Sequence, residues 1–131
     1  MKRDMDLIRE LLLKLEAYPL RAGGMCTFSA FDDEEIRVEG FNYNEIDYHL
    51  ALLKEAAFID DGGVRPMSGI GFRGLTWAGH DFLDSVRDPK IWLKTMKAAE
   101  IAAGGFTVDL LKDLAKGLIK KQIEEYAGIK L

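Results

Sequence analysis

The two histidines and the one cysteine of this 131-residue chain, His49, His80 and Cys26, are the side chains that first suggest metal or nucleophile chemistry. A zinc centre needs three or four such ligands at compatible spacing, and these three show none. No G-x-S-x-G element marks a nucleophilic serine. The histidines are therefore read as packed or half-exposed, with no catalytic residue, no metal ligand and no cofactor. Gly69-Ile70-Gly71-Phe72-Arg73-Gly74 has the spelling G-x-G-x-x-G. A dinucleotide loop with that spelling follows a buried strand inside a βαβ unit. Here it falls within an expected ribbon strand, so the glycines are read as relieving crowding there. Asp32-Asp33-Glu34-Glu35 is read as a solvated turn, not as a cation site or phosphate mimic.

What remains is recognition chemistry, and it centres on Tyr43 to Asp61, "YNEIDYHLALLKEAAFIDD". Ile46, Leu50, Leu53 and Ala57 recur at four, three and four, which predicts a helix with one buried face. A turn of about 100° per residue puts Asn44, Tyr48, Ala51 and Glu55 on the opposite face. Asp47 and Lys54 flank that face on one side, Glu45 and Leu52 on the other. In a DNA reader such a face enters the major groove, where Asn44 and Tyr48 would meet base edges. Asp47 and Glu55 would repel phosphate, with Lys54 opposing them. The same Tyr-Ala-Leu surface rimmed by acids also suits a protein partner. Arg65 and Arg73 are expected on the ribbon, where a wing touches phosphate or a minor groove. The contact set for nucleic acid or partner is thus Asn44, Tyr48, Ala51, Lys54, Arg65 and Arg73.

The elements that must hold this surface are legible to different degrees. Met5, Ile8, Leu11, Leu12 and Leu15 form the stripe of a first helix, capped by Asp4 or Asp6, paired outside through Glu10 and Lys14, and ended at Tyr18-Pro19. Ile36 and Val38 alternate with Arg37 and Glu39, which predicts a short strand. Asn44 is expected to cap the second helix. Phe58-Ile59 and Ile70 to Leu75 are predicted to pair as a β-ribbon across a turn at Asp60 to Gly63. Thr76 caps a further helix in which Gly79 allows close backbone approach and Phe82, Leu83 and Val86 are buried. Pro89 opens a helix from Ile91 to Ala103 that Gly104-Gly105 stops. Thr107 caps a last helix with the stripe Leu111, Leu114, Ala115, Leu118, Ile119 and Ile123. Trp77 and Trp92 are expected as core or interhelix anchors.

Helix, strand, helix, ribbon, helix is the order of a winged helix-turn-helix domain. The expected fold class is mainly α (α+β): a winged-helix-like domain over 1–88 with a two-helix C-terminal extension over 89–131, packed on it or used for dimerisation. The net charge of −4 is uneven: residues 1–86 carry nine basic and sixteen acidic side chains, residues 87–131 nine and six. If phosphate is attracted anywhere, the C-terminal third is the better candidate. The last helix, Thr107–Ala127, offers a route to a homodimer. No apolar run approaches the roughly 18 residues of a membrane span, and the lone Cys26 forms no internal disulfide, so a cytoplasmic protein is expected.

"MKRDMDLIRELL", "EGFNYNEIDYHLALLKEAAFI", "LTWAGHDFLDSVRD" followed by "IW", and "LAKGLIKKQI" together resemble the family catalogued as domain of unknown function 2513. The resemblance covers most of the chain and implies a bacterial or phage protein with a winged-helix-like core. It supplies no activity. One departure is Ala57-Phe58, where the family pattern has a glycine and a leucine. The expected function is a DNA-binding or transcription-regulating protein of prophage or mobile-element origin, not an enzyme. The alternative is a protein-interaction module that binds a host or phage protein without touching DNA.

Overall fold

The computed structural model describes residues 1–101 and 106–128. The expected Gly104-Gly105 stop, and the end of the helix expected to reach Ala103, lie outside the described residues. Within them the chain is mainly helical, with two small two-stranded sheets. The order is α1 (Met5–Ala17), β1 (Cys26–Phe28), a 3-10 turn (Glu34–Ile36), α2 (Tyr43–Glu55), β2 (Ile59–Asp60), β3 (Ile70–Phe72), β4 (Gly74–Leu75), α3 (Trp77–Val86), α4 (Pro89–Ile101) and α5 (Val108–Ala127). The chain divides inside α3 into two compact units, Met1–His80 and Asp81–Leu131.

In the first unit α1 buries its whole predicted stripe, with Leu7 and Arg9 added. The Asp4 carboxylate caps it by accepting from the Leu7 amide. The Glu10–Lys14 pair is replaced by Arg9–Glu10 at 3.2 Å. Helix α2 packs on α1 and buries Ile46, His49, Leu50 and Leu53. Each buried leucine there stabilises the fold by about 2 kcal/mol. His49 also ties the two helices together. The Asp4 amide donates to its Nε2 at 2.8 Å, so the ring proton sits on Nδ1 and points to the Glu45 carbonyl, 2.7 Å away.

Several local expectations are corrected. The strand predicted at Ile36–Val38 does not form: Ile36 ends the 3-10 turn, as its one buried residue, and Arg37 and Val38 follow in irregular chain. The strand is Cys26–Phe28, antiparallel to β3 with Cys26 opposite Phe72. Two alternating apolar residues satisfy a turn as readily as a strand, and the Asp33 carboxylate closes the loop before the turn by accepting from the Ser29 amide at 2.9 Å. The cap of α2 is Asn42, not Asn44. Asn42 and Glu45 bond reciprocally as a capping box, and this moves the helix start two residues back. The second ribbon strand is interrupted at Arg73: β3 pairs with β1, while β4 pairs with β2. Trp77 is 85% exposed and anchors nothing, whereas Trp92 is buried.

The exit of α2 is where the chain is most constrained. Ala57 lies beyond the helix, exposed, with φ +59°, and does not extend the buried stripe. The Phe58 amide bonds to the Leu53 carbonyl and the Ala57 amide to the Lys54 carbonyl, the pairing of a Schellman cap. Glycine normally fills this left-handed position, so the departure Ala57 falls where a side chain is least welcome. Next, the Thr76 hydroxyl donates to the Ala57 carbonyl at 2.6 Å and accepts from the Gly79 amide, capping α3 as expected. The Thr76 amide donates to the Phe58 carbonyl at 3.0 Å. A Cβ at Gly79 would collide with that same carbonyl, which is why glycine stands there.

In the second unit Phe82, Leu83 and Val86 are buried as expected. Asp88 caps α4 through the Lys90 and Ile91 amides, with Pro89 in its first turn. Helix α4 packs against α5 and buries Ile91, Trp92, Thr95 and Ala99. Thr107 caps α5 through the Leu110 amide. Only Leu111 and Ala115 of the predicted α5 stripe are fully buried.

Two substitutions test the junction by chemical denaturation. Ala57→Gly should stabilise the fold by about 0.5–1 kcal/mol, because relief of the left-handed strain exceeds the glycine's added chain entropy. Gly79→Ala should destabilise it by about 3 kcal/mol, through collision with backbone that cannot move aside. A neutral Gly79→Ala would mean that α3 does not cross Phe58 closely.

Candidate functional site

The outward face of α2 is built as the helical period requires. Asn44, Tyr48, Ala51 and Glu55 are all exposed, and so is Tyr43, the first residue of the helix, on its flank. Sequence reading missed what stands beside them. Phe31, in the loop after β1, is 52% exposed and meets the Tyr43 ring edge-on at 5.4 Å. Arg37 lies over the same ring, 4.4 Å from its centroid. Its guanidinium is anchored by Nε donating to the Ala30 carbonyl at 2.8 Å and Nη2 to the Phe31 carbonyl at 3.4 Å. Phe31, Tyr43 and Arg37 thus form one contiguous cluster. The available signal was an aromatic residue beside an acid run, a place where a solvated turn has no need of one.

The charges around this face are not those the helical wheel suggests. Asp47 turns inward: its carboxylate accepts from the Ser29 hydroxyl at 2.8 Å and the Ala30 amide at 2.7 Å. It pins the Phe31 loop to α2 and presents little charge outward. Lys54 is paired to Asp61 at 3.1 Å. Arg73, between β3 and β4, is 3.8 Å from Asp60. Arg65 is exposed in the loop that joins β2 to β3. Of the six expected contact residues, Asn44, Tyr48 and Ala51 share one surface, while the three cations lie apart on its flank and on the ribbon. Asp32, Glu34, Glu35 and Glu39 are exposed near the aromatic cluster in sequence.

The groups with chemical potential are placed elsewhere. His49 has both ring nitrogens committed, as above. His80 is exposed, with Nδ1 3.9 Å from Glu16, beside a cleft of about 170 Å³. Burial, with Asp33 and Glu35 nearby, pushes the Cys26 thiol up from its ordinary value, away from the reactive thiolate. Among the described residues no three His, Cys, Asp or Glu side chains gather to hold a metal ion. Gly69 and Gly71 of the G-x-G-x-x-G stretch serve packing: a side chain on either would strike backbone of Phe28 or Asp61. No helix among the described residues is long and apolar enough to cross a membrane.

Comparison with known proteins gives a family and one relative. The family model described as "Hypothetical protein (DUF2513)" matches residues 2–105. An "Uncharacterized protein" of Haemophilus influenzae is 32% identical over 128 residues, covering 94% of this chain and 99% of that protein. No solved structure matches the chain.

The Asp61 carboxyl is held below the usual carboxylate range, first by the Gly63 amide and then by Lys54. A lowered folded value stabilises the fold above the unfolded carboxyl's pKa, and this is lost as pH falls through the folded value. Carbon-detected titration of Lys54→Gln should move Asp61 part of the way back up, since the Gly63 bond remains. An unmoved Asp61 would mean that Lys54 is not engaged there.

Proposed function

The chain belongs to the family described as hypothetical protein DUF2513, and on that premise we propose that it is a winged-helix-like, non-enzymatic regulatory protein of a phage or mobile element that binds a protein partner through the outer face of α2. The element order supports the winged-helix part of this reading. A strand after the first helix lies against the returning arm of a ribbon, and the ribbon follows directly from the second long helix. The 3-10 turn stands where a helix-turn-helix has its first helix, reduced to a single turn.

One observation carries the choice of partner: the Phe31–Tyr43–Arg37 cluster is assembled at the start of α2 with both rings exposed, and Tyr48 is exposed on the same helix. Aromatic and arginine side chains held rigid at a surface are the residue types that dominate protein interfaces. Duplex DNA needs cations aimed at phosphate, and Lys54 and Arg73 are each turned to an acid of their own unit. DNA is the second reading, favoured by the inward turn of Asp47 and the exposed Arg65.

Fluorescence anisotropy with random duplex DNA at low salt separates the two. The protein-partner reading expects no binding. Binding that falls steeply with salt, and that weakens in Arg65→Ala with Arg73→Ala, would transfer the function to DNA. Against a partner recovered with the wild-type protein, Phe31→Ala and Tyr48→Ala should each cost about 2 kcal/mol of affinity while thermal stability stays nearly constant.

A further inference from the structure

Helix α5 has an apolar stripe at a strict four-residue interval: Leu111, Ala115, Ile119 and Ile123. The first two are fully buried, Ile119 is half-buried and Ile123 is 42% exposed. Cover therefore runs out midway along the helix, although the apolar spacing continues. The uncovered half floors a groove of about 400 Å³ whose two banks have opposite charge. Asp81 and Asp84 of α3 form one bank, Lys116 and Lys120 of α5 the other. All four are exposed. Asp84 is engaged by Arg87 at 2.7 Å. Among the described residues Asp81, Lys116 and Lys120 form no ion pair.

We propose that this groove is the face through which two copies of the chain form a twofold dimer. An occupant must bring an apolar strip with bases on one side and acids on the other. A purely anionic partner would meet Asp81, and a purely cationic one Lys116 and Lys120. A second copy turned about a twofold axis fits both banks at once. Its Asp81 and Asp84 face Lys116 and Lys120, its own lysines face the acids, and the two Ile123 side chains close over each other. The arrangement is isologous, so it stops at two copies. It uses neither α2 nor the aromatic cluster, so it stands or falls apart from the choice between protein and DNA.

Light scattering coupled to size exclusion, on the full chain, reads the mass directly. The wild type should run at twice its 14.7 kDa mass. Lys116→Glu with Lys120→Glu, and separately Asp81→Lys with Asp84→Lys, should each run as folded monomers, since each brings like charges together. Mixed in equal amounts, the two variants should recover the dimer, because each then carries the bank the other needs. This recovery also excludes misfolding as the cause of the monomers. A monomeric wild type, a dimer indifferent to charge reversal, or a mixture that stays monomeric would each overturn the proposal.

Discussion

The carbonyl of Phe58 is the point on which the first unit turns. It accepts the Thr76 amide, and it occupies the space that any side chain at residue 79 would fill. One atom group therefore joins the exit of α2, the closing end of the ribbon and the entry of α3. The Thr76 hydroxyl adds a bond to the neighbouring Ala57 carbonyl while capping α3. Because Ala57 is left-handed, the chain reverses within one residue of the helix end. The direction of α2 is thereby set, and with it which side chains reach solvent. Asn44, Tyr48 and Ala51 are a surface because Ile46, Leu50 and Leu53 are held inward where α2 packs on α1, and because the far end of the helix has no freedom to roll.

The acidity of the first unit looks different once its bonds are traced. Asp47 holds the Phe31 loop, Asp33 the Ser29 amide, Asp4 the start of α1, and Asp60 and Asp61 the turn residues Gly62 and Gly63. Many of the acids are thus structural acceptors at caps and turns, where a carboxylate is a strong partner for backbone amides. The same bonds take up cations: Lys54 and Arg73 lie against turn acids, and Arg37 is spent on carbonyls and a ring. What is left at the surface is aromatic and neutral polar, together with the exposed acids Asp32, Glu34, Glu35, Glu39 and Glu55. That balance underlies the proposal of a protein ligand for a domain proposed to share the winged-helix plan of DNA readers.

The sequence made some of this plain and hid the rest for identifiable reasons. The buried stripes of α1 and α2, Thr76 as a cap and the need for Gly79 were legible, because burial and backbone geometry act through local spacing. The ribbon was legible only as a doubling back. Its division at Arg73 depends on β1, 46 residues away from Phe72 in the chain, and such pairing leaves no local period. The Asn42 cap was within reach, since Asn42 and Glu45 spell a capping box that Asn44 lacks. Trp77 misled because size argues for burial, and only the fold decides which side of α3 it takes. The aromatic cluster needed three dimensions, since Phe31, Arg37 and Tyr43 come from three separate local structures.

Native-state amide hydrogen exchange reads the central constraint most directly. If the Phe58 carbonyl joins α2, the ribbon and α3, the Thr76 amide exchanges only through global unfolding, as slowly as the buried amides of Leu50 and Leu53. An exchange rate at Thr76 typical of the exposed loop between β2 and β3, with those α2 amides still protected, would contradict the account. The ribbon would then open on its own, and the orientation of α2 would not depend on it.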